Sequence, residues 1–197
     1  LFVYLSGAET LPAGAETGTL SLTHRTDKGS GSYRATDAEA EFEVGLTSRL
    51  SGSLSLKGQS ISTHGILIDG YMPGDESYGL RASGIEGKLK YMFLSPGLDP
   101  IGLAARVGVD YSWLDPHSGR DKRKLSATTE LLLQKYLLDD QLVLVSNLGL
   151  ESALAQRGAI ENLPPGFEWS SDPEMEIEIK FGIGMAYRLA PRWFVVR

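Results

Sequence analysis

Cysteine is absent from this chain, which excludes disulfides, thiolate metal sites and thiol nucleophiles. Histidine is scarce, at three residues, so imidazole chemistry has few places to occur. No apolar run approaches the roughly 18 residues that a membrane-spanning helix requires. The opening LFVYL is too short for a secretory signal and lacks its basic flank; if the protein is exported, the sequence is expected to be the mature form. Basic residues are not in excess either, with 19 Lys and Arg against 25 Asp and Glu and a net charge of −6. No basic stripe is present to neutralise phosphates, so nucleic acid is not an expected partner. Although glycine is plentiful at 23, no phosphate-cradling motif has the strand–turn–helix context it needs. Gly29–Ser32 reads as a loop, while Gly182 and Gly184 fall within a strand.

What the chain does have is alternation. From Met175 to Tyr187 every odd position is apolar (Met175, Ile177, Ile179, Phe181, Ile183, Met185, Tyr187). The even positions (Glu176, Glu178, Lys180, Gly182, Gly184, Ala186) are charged or small. This outruns the ordinary strand of about 5–6 residues and matches the roughly 9–11 tilted residues that cross a bilayer. The same period recurs over Thr17–Arg25, Arg34–Leu46, Leu50–Ser60, Gly84–Leu94, Ile101–Trp113 and Gln141–Leu154. Lys124–Tyr136 is less clean: Leu131–Leu133 is apolar on both faces, and TTELLLQKYLL read alone also fits a helix. A ninth strand opens at Trp193 and is cut off at Arg197.

The expected fold is therefore all-β: an antiparallel, transmembrane up-and-down barrel in one domain spanning residues 1–197, with eight strands and the start of a ninth. Short connections are expected at Thr47–Arg49, Ser95–Asp99, Leu138–Asp140 and Leu189–Arg192. Long ones are expected at Thr26–Tyr33, Ile61–Ser83, Leu114–Arg123 and Ala155–Asp172. Short periplasmic turns alternating with long outer loops are characteristic of outer-membrane barrels, and they put residues 1–15 on the periplasmic side. Tyr91, Phe93, Tyr136, Tyr187, Trp193 and Phe194 fall near the short turns, and Tyr111 and Trp113 near a long-loop end, as two interfacial girdles would. A soluble barrel such as a lipocalin would also alternate. Strand length, the charged and glycine-rich face and the lack of an amino-terminal Gly-x-Trp favour the membrane form.

On that assignment the lumen carries Asp37, Glu39, Glu41, Glu43, Glu86, Asp110, Glu130, Glu151, Glu176 and Glu178. It also carries Arg25, Lys57, Lys88, Lys90, Arg106, Lys124, Lys180 and Arg188, leaving a small acidic excess. In a narrow barrel these charges would pair into a plug; in a wider one they would line a watery path and set ion preference. The four acids of the second strand face only Arg25 and Lys57 on its neighbours, so a weak cation preference is expected of any pore.

Other constellations carry less. His24 and Ser146 share outward parity on distant strands, which is thin ground for a hydrolase. His64 and His117 lie in long loops near Asp69 and Asp115, with no ligand spacing. The loop segments Gly65–Tyr71 and Ile160–Trp169 are apolar enough to dock a partner or to fold back into the barrel mouth.

Three segments carry a resemblance: GAETLPAG at Gly7–Gly14, SYRATD at Ser32–Asp37 and GLTSRL at Gly45–Leu50, with LAPRWF at Leu189–Phe194 as a fourth, later match. Together they resemble a family of Gram-negative outer-membrane β-barrels. The resemblance implies a porin-like fold, of about twelve strands when complete, located in the outer membrane; stopping at Arg197 suggests that C-terminal strands are lacking. It supplies no catalytic residues. The expected function is passive passage of small solutes or ions, and the alternative is a non-conducting barrel that is structural or binds a partner through its long loops. No enzyme activity, cofactor or metal is expected. Expected partners are membrane lipids and lipopolysaccharide, with a protein partner or homo-oligomer as a further possibility.

Overall fold

A computed structural model of the chain describes residues 5–67, 75–160, 165–166, 169–190 and 193–196. These residues form β1 (Glu16–Thr26), β2 (Ser30–Gly45), β3 (Leu50–Leu67), β4 (Ser77–Leu94), β5 (Gly102–Leu114), β6 (Asp121–Leu137), β7 (Leu142–Arg157), β8 (Glu174–Ala190) and β9 (Trp193–Val196). All nine lie in one antiparallel sheet in the order β1 to β9, each paired with its neighbours in sequence. The sheet curls into a half-barrel, and β5–β6 loop atoms reach Arg25 of β1 and Tyr33 of β2 across the concave side.

The alternation read from the sequence holds across the whole sheet. One continuous row of cross-strand partners runs Leu20, Ala40, Leu56, Ile85, Tyr111, Leu125, Leu154 and Met175. It faces outward: Leu20 is 71% and Met175 75% exposed. The adjoining row runs Thr19, Glu41, Ser55, Glu86, Asp110, Ser126, Ala153 and Glu176 on the concave side, where Ser55 and Ser126 are buried. Ile177, Phe181 and Val107 likewise point outward. The apolar side chains thus form the outer wall, and the interior is polar.

Among the described residues, apolar packing inside gathers into two small groups. Tyr33, Ala35, Ile61 and Ile66, with Tyr78 against them, form one at the long-connection end. Ala8, Ala104 and Leu132 form the other at the short-turn end. The second group explains the Leu131–Leu133 run: the segment is strand, with Leu131 and Leu133 outward and Leu132 buried inward.

The connections differ from expectation. β2, β3 and β4 continue beyond the apolar alternation, so the expected long loop at Thr26–Tyr33 is a tight turn at Asp27–Gly29, with Asp27 and Gly29 at positive φ. Within the loop expected at Ile61–Ser83, β3 continues to Leu67 and β4 already begins at Ser77. Ladder bonds are made by the backbone, so stretches such as Ser60–His64 keep pairing after the apolar pattern has ended. Of the Gly65–Tyr71 patch, Ile66 folds inward against Tyr33 and Ile61; the part from residue 68 lies outside the described residues. In the Ile160–Trp169 segment, Trp169 Nε1 donates to Gly158 O at 2.6 Å.

The aromatic assignment also needs correcting. Tyr91 and Phe93 stack edge-on at 5.0 Å on the outer face, and Tyr111 and Trp113 lie 6.1 Å apart. Tyr136, however, has inward parity and donates to Glu9, and Phe194 is partnered with inward-facing Arg188. Both belong to the concave side because the register, not nearness to a turn, fixes the face.

Candidate functional site

By register the charged residues expected in the lumen share the concave side, most of them paired in three neighbouring sets. Between β2 and β5, Lys57 Nζ stands 2.5 Å from Asp110 and 3.0 Å from Glu86. Lys88 stands 3.1 Å from Glu41, 3.2 Å from Glu86 and 3.9 Å from Glu39. Lys90 is 3.8 Å from Glu43, and Arg25 is 2.7 Å from Asp37. Arg106 and Glu130 form the second group at 2.5 Å. In the third, Glu151 accepts from Lys124 at 2.8 Å and Lys180 at 2.5 Å, with Glu178 3.5 Å from Lys180. Glu176 and Glu178 are exposed, being close to the edge of the described sheet.

These contacts change the reading of β2. Its acids are met by Arg25 and, from β4, by Lys88 and Lys90, while Lys57 turns instead to Glu86 and Asp110. The reason is β3, where Ser55 and Ser53 stand opposite Glu41 and Glu43 and Ser51 follows on the same face. Short side chains leave room for long ones from the strands on either side to meet above them. The hydroxyls join in: Ser51 donates to Glu43 at 2.6 Å, and Ser53 and Ser55 donate to Glu41 at 3.2 and 3.3 Å. Single-strand neighbours are visible in a sequence, whereas a pairing two strands away needs the register.

The charged belt encloses space. A cavity of about 330 Å³ is lined by Lys57, Glu86, Lys88, Arg106, Asp110, Glu130, Glu151 and Lys180, among others. A second, of about 630 Å³, lies towards the long-connection end between Asp37, Glu39, Gln59, Lys122, Lys124 and Glu176. At the short-turn end a third, of about 860 Å³, opens between Glu9, Asp99, Tyr136 and Arg188.

Both ends of the concave face are crossed by segments that strand patterns do not reveal. At the long-connection end, residues 115–120 fold inward. Pro116 O accepts from Arg25 at 2.6 Å, Gln59 at 3.0 Å and Tyr33 at 3.2 Å, while Tyr78 donates to Gly119 O at 2.8 Å. Asp115 Oδ1 accepts from the amides of His117 and Ser118 at 2.7 and 3.0 Å, which fixes the turn. Lys28 Nζ lies against His117 Nδ1. Burial first, then the neighbouring Lys28, holds the His117 pKa below its usual value of 6.5. At the short-turn end, residues of the N-terminal segment lie inside the curl, with Ala8 completely buried. The sequence reading, a periplasmic segment over residues 1–15, gives no sign of this inward course.

The remaining histidines are separate. His24 bonds Thr36 Oγ1 at 2.9 Å on β1, while Ser146 lies on β7, paired with Leu133 and Ile183. His64 is partnered by Asp75 at 2.9 Å; Asp69 lies outside the described residues.

Strand order, antiparallel pairing and a polar concave face define an up-and-down β-sheet protein of barrel type. The chain belongs to DUF6662, described as a family of unknown function, whose model matches residues 1–197. No curated protein matches the chain.

Proposed function

We propose that this chain forms the wall of a porin-like β-barrel in the outer membrane of a Gram-negative bacterium, in contact with membrane lipids and lipopolysaccharide. Small solutes or ions pass passively along its concave face, with a weak cation preference, no cofactor and no catalytic step. One observation carries the reading: the large apolar side chains point outward in continuous rows while the ionised groups line the concave side. Ile177, Ile179, Phe181 and Ile183 are each about 70% exposed or more. Left in water, each such side chain forgoes about 1.5–3 kcal/mol of burial, and soluble monomers rarely expose contiguous apolar patches beyond a few hundred Å². Hydrocarbon around the wall removes that cost. Charge on the concave side then suits an aqueous path of the kind found in porins.

Planar-bilayer conductance of the purified protein tests the reading. Discrete current steps are expected, with a cation preference that falls on Glu39→Gln, Glu41→Gln and Glu43→Gln together. Silent membranes would instead favour a non-conducting barrel that is structural or binds a partner through its outer loops. The inward-folded segments at both mouths support that second reading.

A further inference from the structure

Ahead of β1, Leu5–Glu9 is built into the lumen. At Pro12–Ala15 the backbone turns, with Gly14 at φ 76° and Ala15 N donating to Pro12 O at 2.9 Å. Gly14 N to Gly45 O at 2.8 Å and Gly45 N to Ala15 O at 2.9 Å fasten the turn to the end of β2. A Cβ on residue 45 would collide with the Pro12 carbonyl, so this fastening requires glycine there.

Beyond the turn, Ser6–Glu9 crosses the concave face. Arg106 Nη1 donates to Ser6 Oγ at 2.7 Å, and Ala8 N donates to Gln134 Oε1 at 2.9 Å. Tyr136 donates to Glu9 at 2.8 Å. With its amide oriented to suit its partners, Asn147 donates to Ser6 O and accepts from Ser6 N, both at 3.0 Å. The wall is small where the segment lies: a Cβ on Gly182 would meet the Leu5 side chain, and Ala8 packs on Ala104 and Leu132.

Two features distinguish this from a structural strand. Ser6–Glu9 joins no ladder, and its bonds run to side chains of β5, β6 and β7 that water can satisfy equally well. Its seat is coupled to the charged belt, because Arg106 holds Ser6 and Glu130 together. The geometry points to Ser6–Glu9 as a plug, hinged at Gly14, that closes the lumen at the short-turn end and lifts away to open it. The inference rests on the porin-like reading and adds its regulation.

The absence of cysteine gives a clean test. Ala8→Cys with Ala104→Cys places one thiol on the plug and one on its seat, and a disulfide forms only where the two approach closely. In planar bilayers the full chain carrying this pair is expected to pass several-fold less current when oxidised, with reductant restoring it. Ala8→Asp cannot occupy the dry contact with Leu132 and leaves the wall untouched, so it is expected to raise conductance several-fold. Failure of the pair to cross-link overturns the plug. So does a conducting channel that is indifferent both to cross-linking and to Ala8→Asp, and in that case the porin-like reading stands. Silence of every form, Ala8→Asp included, overturns both.

Discussion

Lys88 on β4 meets Glu41 on β2 across the strand that separates them, with Nζ 3.1 Å from Oε2 above the hydroxyls of Ser53 and Ser55. The contact is partly shielded, with side chains 20% and 25% exposed. Its worth therefore lies between that of surface pairs, near 0–1 kcal/mol, and the 3–5 kcal/mol lost when a buried pair is broken. Lys88→Met removes the cation shared by Glu39, Glu41 and Glu86. It is expected to cost about 1–3 kcal/mol in urea unfolding from lipid vesicles. In the proposed pore it also shifts the reversal potential towards cations.

The outer wall is tested at Leu148, which pairs with Leu131 and Phe181 and is 50% exposed. Leu148→Arg in contact with hydrocarbon is expected to cost about 2–4 kcal/mol near the bilayer centre. The same change on a water-facing wall costs within about 0.5 kcal/mol. Unfolding free energies of the two proteins in vesicles decide between these values, and a near-zero difference removes the membrane reading.

Acid is expected to unseat the loop at residues 115–120. His117 faces Lys28, Arg25 and Lys122 as cations and Asp115 as the opposing anion, and its pKa in the seated loop is lowered. A lowered pKa means that the seated form binds fewer protons than the released one. Seating is therefore fully favourable above 6.5 and weakens as pH falls below that value. Ser118 is 1% exposed, so the labelling rate of Ser118→Cys by a soluble thiol reagent, divided by that of an exposed cysteine at the same pH to cancel the loss of thiolate, should rise on acidification. Adding His117→Gln should flatten that dependence.

Gly45→Ala drives a methyl group into the Pro12 carbonyl. Overpacking of this kind costs about 1–3 kcal/mol, and here the turn at Pro12–Ala15 relieves it by detaching. The expected readout is faster proteolysis ahead of β1, with the sheet's circular dichroism unchanged.

Much of the fold was legible because the side-chain period of a strand is fixed at two. Met175–Tyr187 announces β8 and parity sorts its residues into two faces, while the choice of the concave one rests on strand length and the charged, glycine-rich set. Leu131–Leu133 was ambiguous because Leu132 answers to Ala8, a residue far away in sequence. The reach of Lys88 and Lys90 to β2 was hidden for a related reason: the serines that permit it lie on a third strand. Strand ends were misjudged where polar residues continued the ladder, as at Ser60–His64. The inward folding of Ser6–Glu9 and of residues 115–120 leaves no periodic trace, since irregular segments are placed by individual hydrogen bonds.

Every strand in the sheet pairs with its neighbours along the chain. Each hairpin therefore completes its own partnership without waiting for a distant segment to be synthesised. Assembly can advance one hairpin at a time, and a backbone nick in the connection between β7 and β8 would separate two pieces that each keep whole hairpins and the information to find each other again.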